Sequence, residues 1–219
     1  MVMVPSIAIR PRLRGVSHEI AFFVALALGV VLVATAPGGE ARTTALIYAL
    51  GVCGLFGVSA LYHRRDWRSD RSRAWMRRVD HSMIFVFIAA TYTPVAVVAM
   101  TPTLGTVMLV VVWAGALAGT AMAMAWPSSP KRLNALVYVT LGWVAAAAMP
   151  QLWDRLGALS VLGLAAGGVL YTAGAIVYAR GRPDPRPEVF GYHEIFHACV
   201  VLAAATHYVV IAFAVLPRG

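Results

Sequence analysis

The chain has 219 residues, of which 60% are hydrophobic and 12% charged, and a formal net charge of +9. That balance excludes an ordinary water-soluble globule, in which about a quarter of residues are charged. Two cysteines, with no C-x-x-C pattern, exclude a disulfide scaffold, and Cys53 and Cys199 are expected as reduced, packed thiols.

Apolar stretches of roughly 17 to 25 residues, enough to cross a hydrocarbon core of about 30 Å at 1.5 Å per helical residue, recur along the chain. They predict an all-α, polytopic membrane protein with seven transmembrane helices. In chain order the predicted spans are 19–36, 44–62, 81–100, 104–126, 133–149, 156–179 and 194–216. The first is too long for a secretory h-region of about 7 to 15 residues, so it is read as a retained helix. The second and third are separated by an arginine-rich connection, while "PGGE" (37–40) and "WPSSPKR" (126–132) read as tight interhelical turns. Pro94 falls mid-span, where proline ordinarily kinks a helix. The connections leave no space for a soluble domain. We therefore expect an N-terminal segment over 1–17 and one seven-transmembrane domain over 18–219.

Fifteen of the eighteen basic residues fall on one side if the N-terminus is inside; only Arg42, Arg155 and Arg218 fall on the other. The positive-inside rule then predicts a cytoplasmic N-terminus and, after seven crossings, an external C-terminus. A basic face beside anionic lipid headgroups accounts for the high charge, so no nucleic-acid partner is expected.

In hydrocarbon an ionisable side chain costs several kcal/mol unless it is partnered, so each one near a span is a functional candidate. With the topology set by charge, His63 ends the second helix, Asp80 and His81 begin the third, and His193 and His197 begin the seventh, all at the cytoplasmic level. Residues four apart stack on one helix face, which pairs His193 with His197 and Ser59 with His63. Zinc in an open site takes three protein ligands and a water. His63, His193 and His197 are the candidate metal ligands, with Zn2+ the expected ion. Asp80 is the candidate proton acceptor. Ser59 would steady that carboxylate or stabilise an oxyanion.

Other polar residues are read more conservatively. His81 lies about 100° around the helix from Asp80, and a packing or interfacial role is expected. His207, ten residues beyond His197 and so about 15 Å away, is expected to make an interhelical hydrogen bond. His18 and Glu19 read as interfacial capping residues, with Glu19 on the correct side to touch the rim of the site.

The segments "SALYH" (59–63), "DHSMIFVFIAATYTP" (80–94) and "HEIFH" (193–197), in that order in a seven-helix chain, strongly resemble the hemolysin III family. That family groups with the progestin and adipoQ receptors and the alkaline ceramidases, membrane proteins regarded as metal-dependent hydrolases. The resemblance implies that Ser59 and His63 form the S-x-x-x-H pair, Asp80 the helix-3 aspartate that contacts zinc through water, and His193 and His197 the H-x-x-x-H pair. It also implies a bacterial cell-membrane protein rather than a receptor with a large soluble region. "HEIFH" matches the metalloprotease pattern H-E-x-x-H too. Glu194, however, sits about 100° from its neighbouring histidine, and the resemblance gives the proton-handling position to Asp80.

The favoured function is a zinc-dependent hydrolase of an amide or ester bond in a membrane lipid. The alternatives are a non-enzymatic receptor or regulator of membrane state with structural zinc, and an oligomeric pore or cytolysin. A pore needs a polar stripe along several spans, and these helices are apolar nearly all round.

Overall fold

The computed structural model describes residues 11–219, so residues 1–10 of the expected N-terminal segment, Arg10 among them, lie outside the described residues. The described chain is helical, without a β-strand. Its helices are α1 (Val16–Thr35), α2 (Glu40–Arg64), α3 (Asp70–Ala99), α4 (Pro102–Ala125), α5 (Lys131–Gly142), α6 (Met149–Leu156), α7 (Ala158–Arg180) and α8 (Tyr192–Val210). A 3-10 segment, Trp143–Ala148, joins α5 to α6, and a π-helical turn, Ile211–Val215, extends α8. Counting Lys131–Leu156 as one crossing, seven helices are long and apolar enough to span a membrane.

Large apolar side chains cover the outside: Phe23, Val30 and Leu159 are 64%, 64% and 86% exposed. A contiguous apolar surface of this kind requires lipid around it. α3 is the central helix, with 67% of its apolar stretch buried against 22% in α1, and it packs on both α2 and α4.

Three departures from the hydropathy reading have local causes. α3 begins at Asp70 rather than at 81, because Ser69 caps it by accepting from the Ser72 N–H at 3.2 Å. The first turns of α3 carry arginines, so hydropathy is blind to them. The fifth crossing runs on past 149 but is broken inside. There the Tyr92 hydroxyl, from α3, donates to the Gly142 carbonyl at 2.6 Å and accepts from the Ala145 N–H at 2.7 Å. A side chain taking both backbone partners replaces the regular helical bonds, and further on Pro150 has no N–H to offer the Ala146 carbonyl. The sixth crossing starts at Ala158 because Gly157, at φ +82°, reverses the chain in a conformation that side chains with a Cβ rarely adopt. Pro94, by contrast, sits inside a continuous α3, fully buried among neighbours.

Close helix approach depends on small residues. A Cβ on Gly105 of α4 would lie inside the van der Waals shell of the Ala96 carbonyl oxygen of α3. A backbone oxygen cannot rotate away. Gly105→Ala is therefore expected to destabilise the bundle by about 2 kcal/mol through overpacking. Gly142→Ala, with no atom within 4 Å of the new methyl, is the neutral comparison, and thermal unfolding in detergent separates the two. Equal melting temperatures for both variants would contradict the packing account.

Candidate metal centre

The candidate ligands come from helix ends that meet at the arginine-rich end of the bundle. Ser59 and His63 lie on the inward face of the last turns of α2, both buried. Asp80 lies one-third of the way along α3, and its side chain is 12% exposed. His193 and His197 occupy the first two turns of α8, whose start at Tyr192 is fixed by a capping interaction at Gly191.

One ring nitrogen from each of His63, His193 and His197 lies within 4.8 Å of the other two. Nε2 of His193 stands 3.2 Å from Nε2 of His63. Bonds of about 2.0 to 2.1 Å in tetrahedral array place ligand nitrogens at much that separation, so the donor set fits one metal ion. A single proton between those two nitrogens satisfies that pair and leaves the His197 ring, which converges with them, outside it. Three imidazoles clustered in an apolar bundle, His63 and His197 buried and His193 part-buried, are costly unless something joins them. Oδ2 of Asp80 lies 3.9 Å from Nε2 of His63. Ser59 and Asp80 line the same end of one cavity, the Ser59 hydroxyl facing the Asp80 carboxylate. All five residues singled out in the sequence are thus brought together.

The residues beside them behave differently from one another. His81 donates from Nδ1 to the Arg77 carbonyl at 2.7 Å and faces the Tyr178 hydroxyl at 3.4 Å, a packing role as expected. His207 donates from Nε2 to the Leu164 carbonyl of α7 at 3.0 Å, the expected interhelical bond. Cys53 and Cys199 are free thiols. Glu19 pairs with Arg64 at 2.8 Å on the exposed rim, next to His63. Glu194 accepts from the Gly191 N–H at 2.8 Å and pairs with Arg14. Its carboxylate is committed to Gly191 and Arg14 at the start of α8, so the H-E-x-x-H pattern here carries a capping glutamate.

One expectation is corrected. His18, read as an interfacial cap of α1, is 3% exposed and lies flat on His197, ring centroids 3.8 Å apart and planes 3° from parallel. The stretch "RGVSH" (14–18) as a whole was not recognised as part of the site. Arg14 pairs with Glu194, Gly15 abuts His63, and His18 stacks on His197. At Gly15 the backbone is left-handed, φ +81°, and an added Cβ would lie 2.6 Å from Cβ of His63. The available signal was depth, since His18 begins its helix at the same level as the other histidines; the face it presents depends on the rotation of α1.

An elongated cavity opens from these residues into the bundle. At one end it is bounded by Ser59, Asp80, His193 and His197, and at the other by Met100 and Leu152. Asp80 and Met100 are twenty residues apart on one helix line, about 30 Å, so the cavity follows most of the apolar thickness. Its walls are chiefly apolar and aromatic, Ile84, Phe87 and Trp143 among them.

The model of the family described as "Haemolysin-III related" matches residues 7–208. The chain belongs to that family. Within the haemolysin-III related proteins it is 25% identical over 208 residues to "Hemolysin-3" of Bacillus cereus, covering 94% of this chain and 91% of that one. It is 29% identical over 167 residues to "Hemolysin-3 homolog" of Bacillus subtilis (strain 168), covering 76% and 75%. It is also 29% identical over 170 residues to the human "Monocyte to macrophage differentiation factor", covering 76% and 68%. Family and apolar helices together make this a multi-pass membrane protein. The three-histidine cluster, His63, His193 and His197, lies wholly within the matched region.

Proposed function

We propose that this haemolysin-III related protein is a zinc-dependent hydrolase that cleaves an amide or ester bond in a membrane lipid. The observation that carries the reading is the placement of three imidazoles and the Asp80 carboxylate, with Ser59 beside it, at the end of a long apolar cavity. A cavity of this shape suits an acyl chain, and its polar end would then hold the carbonyl. The arginine-rich surroundings of that end favour a site near the cytoplasmic face of a cell membrane.

His63, His193 and His197 would hold the ion. Zinc bound by three histidines supplies Lewis acidity, polarising a carbonyl and lowering the pKa of water towards about 7. Asp80, beside His63, would orient the attacking water and accept its proton. As the C–N or C–O bond breaks, the same carboxylic acid would return that proton to the leaving nitrogen or oxygen. Ser59 would hold the carboxylate in the orientation that both transfers need. The apolar walls would exclude other water and keep the acyl chain extended.

The test is turnover by purified protein on a panel of ceramides, N-acyl lipids and lysophospholipids. Hydrolysis of one of them is expected, lost on chelation and restored by zinc. Asp80→Ala should keep its metal and lose at least about a hundredfold in rate, as expected for removal of a general base. Absence of zinc-dependent hydrolysis across the panel, or full activity in Asp80→Ala, would overturn the proposal. In the second case a metal serving only to staple α2 to α8 becomes the better account.

A further inference from the structure

We propose that His18 is a positioning residue for the candidate metal centre: its ring clamps the face of His197 and so sets the direction of that ligand. The inference rests on the metal-binding role given above to His63, His193 and His197.

Metal-bound histidines ordinarily donate their second ring nitrogen to a carboxylate or carbonyl, and that bond fixes ring orientation. With Nε2 of His197 as the ligand atom, no such bond holds its ring, because Nδ1 is buried and without a hydrogen-bond partner among the described residues. What holds its ring is aromatic packing. His18 covers one face at 3.8 Å with the planes 3° from parallel, and Phe56 of α2 meets His18 edge-on at 5.0 Å and 62°. The result is a three-ring cluster from α2, α1 and α8, one contact edge-on and one stacked, that ends on a candidate ligand. Both nitrogens of His18 are themselves buried, and the polar neighbour they have is the backbone of His197 itself. His18 therefore meets the site through its ring, stacked on His197 and edge-on to Phe56. His18 is not one of the three residues whose nitrogens converge, so its effect must pass through His197. Gly15, one turn before it, lets the start of α1 approach His63 closely enough for the stack to form.

A planar ring should therefore substitute for His18 and a ringless side chain should not. Zinc affinity is read by competition with a chelator, using detergent-purified His18→Phe and His18→Leu beside the unaltered protein. His18→Leu is expected to bind about tenfold more weakly, as for loss of other supporting contacts around metal ligands, with His18→Phe within about twofold of the unaltered chain. With Co2+ in place of zinc, the ligand-field bands should shift in His18→Leu and be retained in His18→Phe. If Leu or Phe at 18 yields unfolded protein, His18→Met and His18→Tyr supply the ringless and ringed pair. Unchanged affinity and spectrum in the ringless variant would overturn the inference, and so would a ringed variant as weak as the ringless one. If the unaltered protein binds neither zinc nor cobalt, it is the metal reading that fails.

Discussion

His63→Ala is expected to strip the metal from the purified protein. Its two partners both come from α8, and four residues apart on one helix they supply a bidentate grip only. The third imidazole has to arrive from another helix, and among the described residues only His63 converges with that pair. Structural zinc is bound with about 10 to 16 kcal/mol spread over its ligands, so one lost imidazole costs about 3 kcal/mol, or a hundredfold or more in affinity. Elemental analysis should fall from about one equivalent per chain to a small fraction. His207→Ala is the internal control. That histidine bonds the Leu164 carbonyl ten residues further along α8, and its loss should leave the metal content intact. A full equivalent of zinc in His63→Ala would show that the ion lies elsewhere.

Glu194→Ala should cost about 3 kcal/mol of stability, for reasons unrelated to proton transfer. Glu194 is 3% exposed; it holds the Gly191 N–H at 2.8 Å and carries the charge that meets Arg14. Removing it leaves an amide without an acceptor and a part-buried guanidinium without its anion, and breaking such a pair costs far more than losing a surface one. The damage should spread. The Arg12 and Leu13 N–H groups bond the Glu188 and Val189 carbonyls at 2.9 and 3.1 Å, so the segment before α1 is tied to the same corner as the start of α8. Glu194→Gln should recover part of the loss, since an amide oxygen still accepts from Gly191 while the pairing with Arg14 goes. A metalloprotease-like glutamate would give the opposite pattern, with turnover abolished and the unfolding curve untouched. Thermal unfolding and lipid turnover measured on the same preparations decide between the two.

The candidate site was legible in the sequence to an unusual degree because its parts are ionisable groups in an apolar chain. His63, Asp80, His193 and His197 stand out against helices that carry almost nothing else of the kind, and the arginine distribution puts them at one depth. Ser59 followed from the four-residue helical step to His63. His18 had the same depth signal and was still misread as a cap. Whether a residue at the edge of α1 faces lipid, headgroup or neighbour depends on how the helix is turned, and α1 is apolar on nearly every side. Nothing in its own composition selects the face that meets His197.

The sequence by itself determined the seven crossings and the common level of the histidines, since transfer of apolar and charged groups between water and hydrocarbon adds up residue by residue along the chain. Tertiary structure alone decided the rotation and continuity of those helices. Packing turned His18 onto His197, paired Arg14 with Glu194, and let the Tyr92 hydroxyl open the fifth crossing into a 3-10 segment. Each of those contacts joins residues at least 50 positions apart and is selected by complementary shape and hydrogen bonding between helix faces, terms that do not exist until the helices meet.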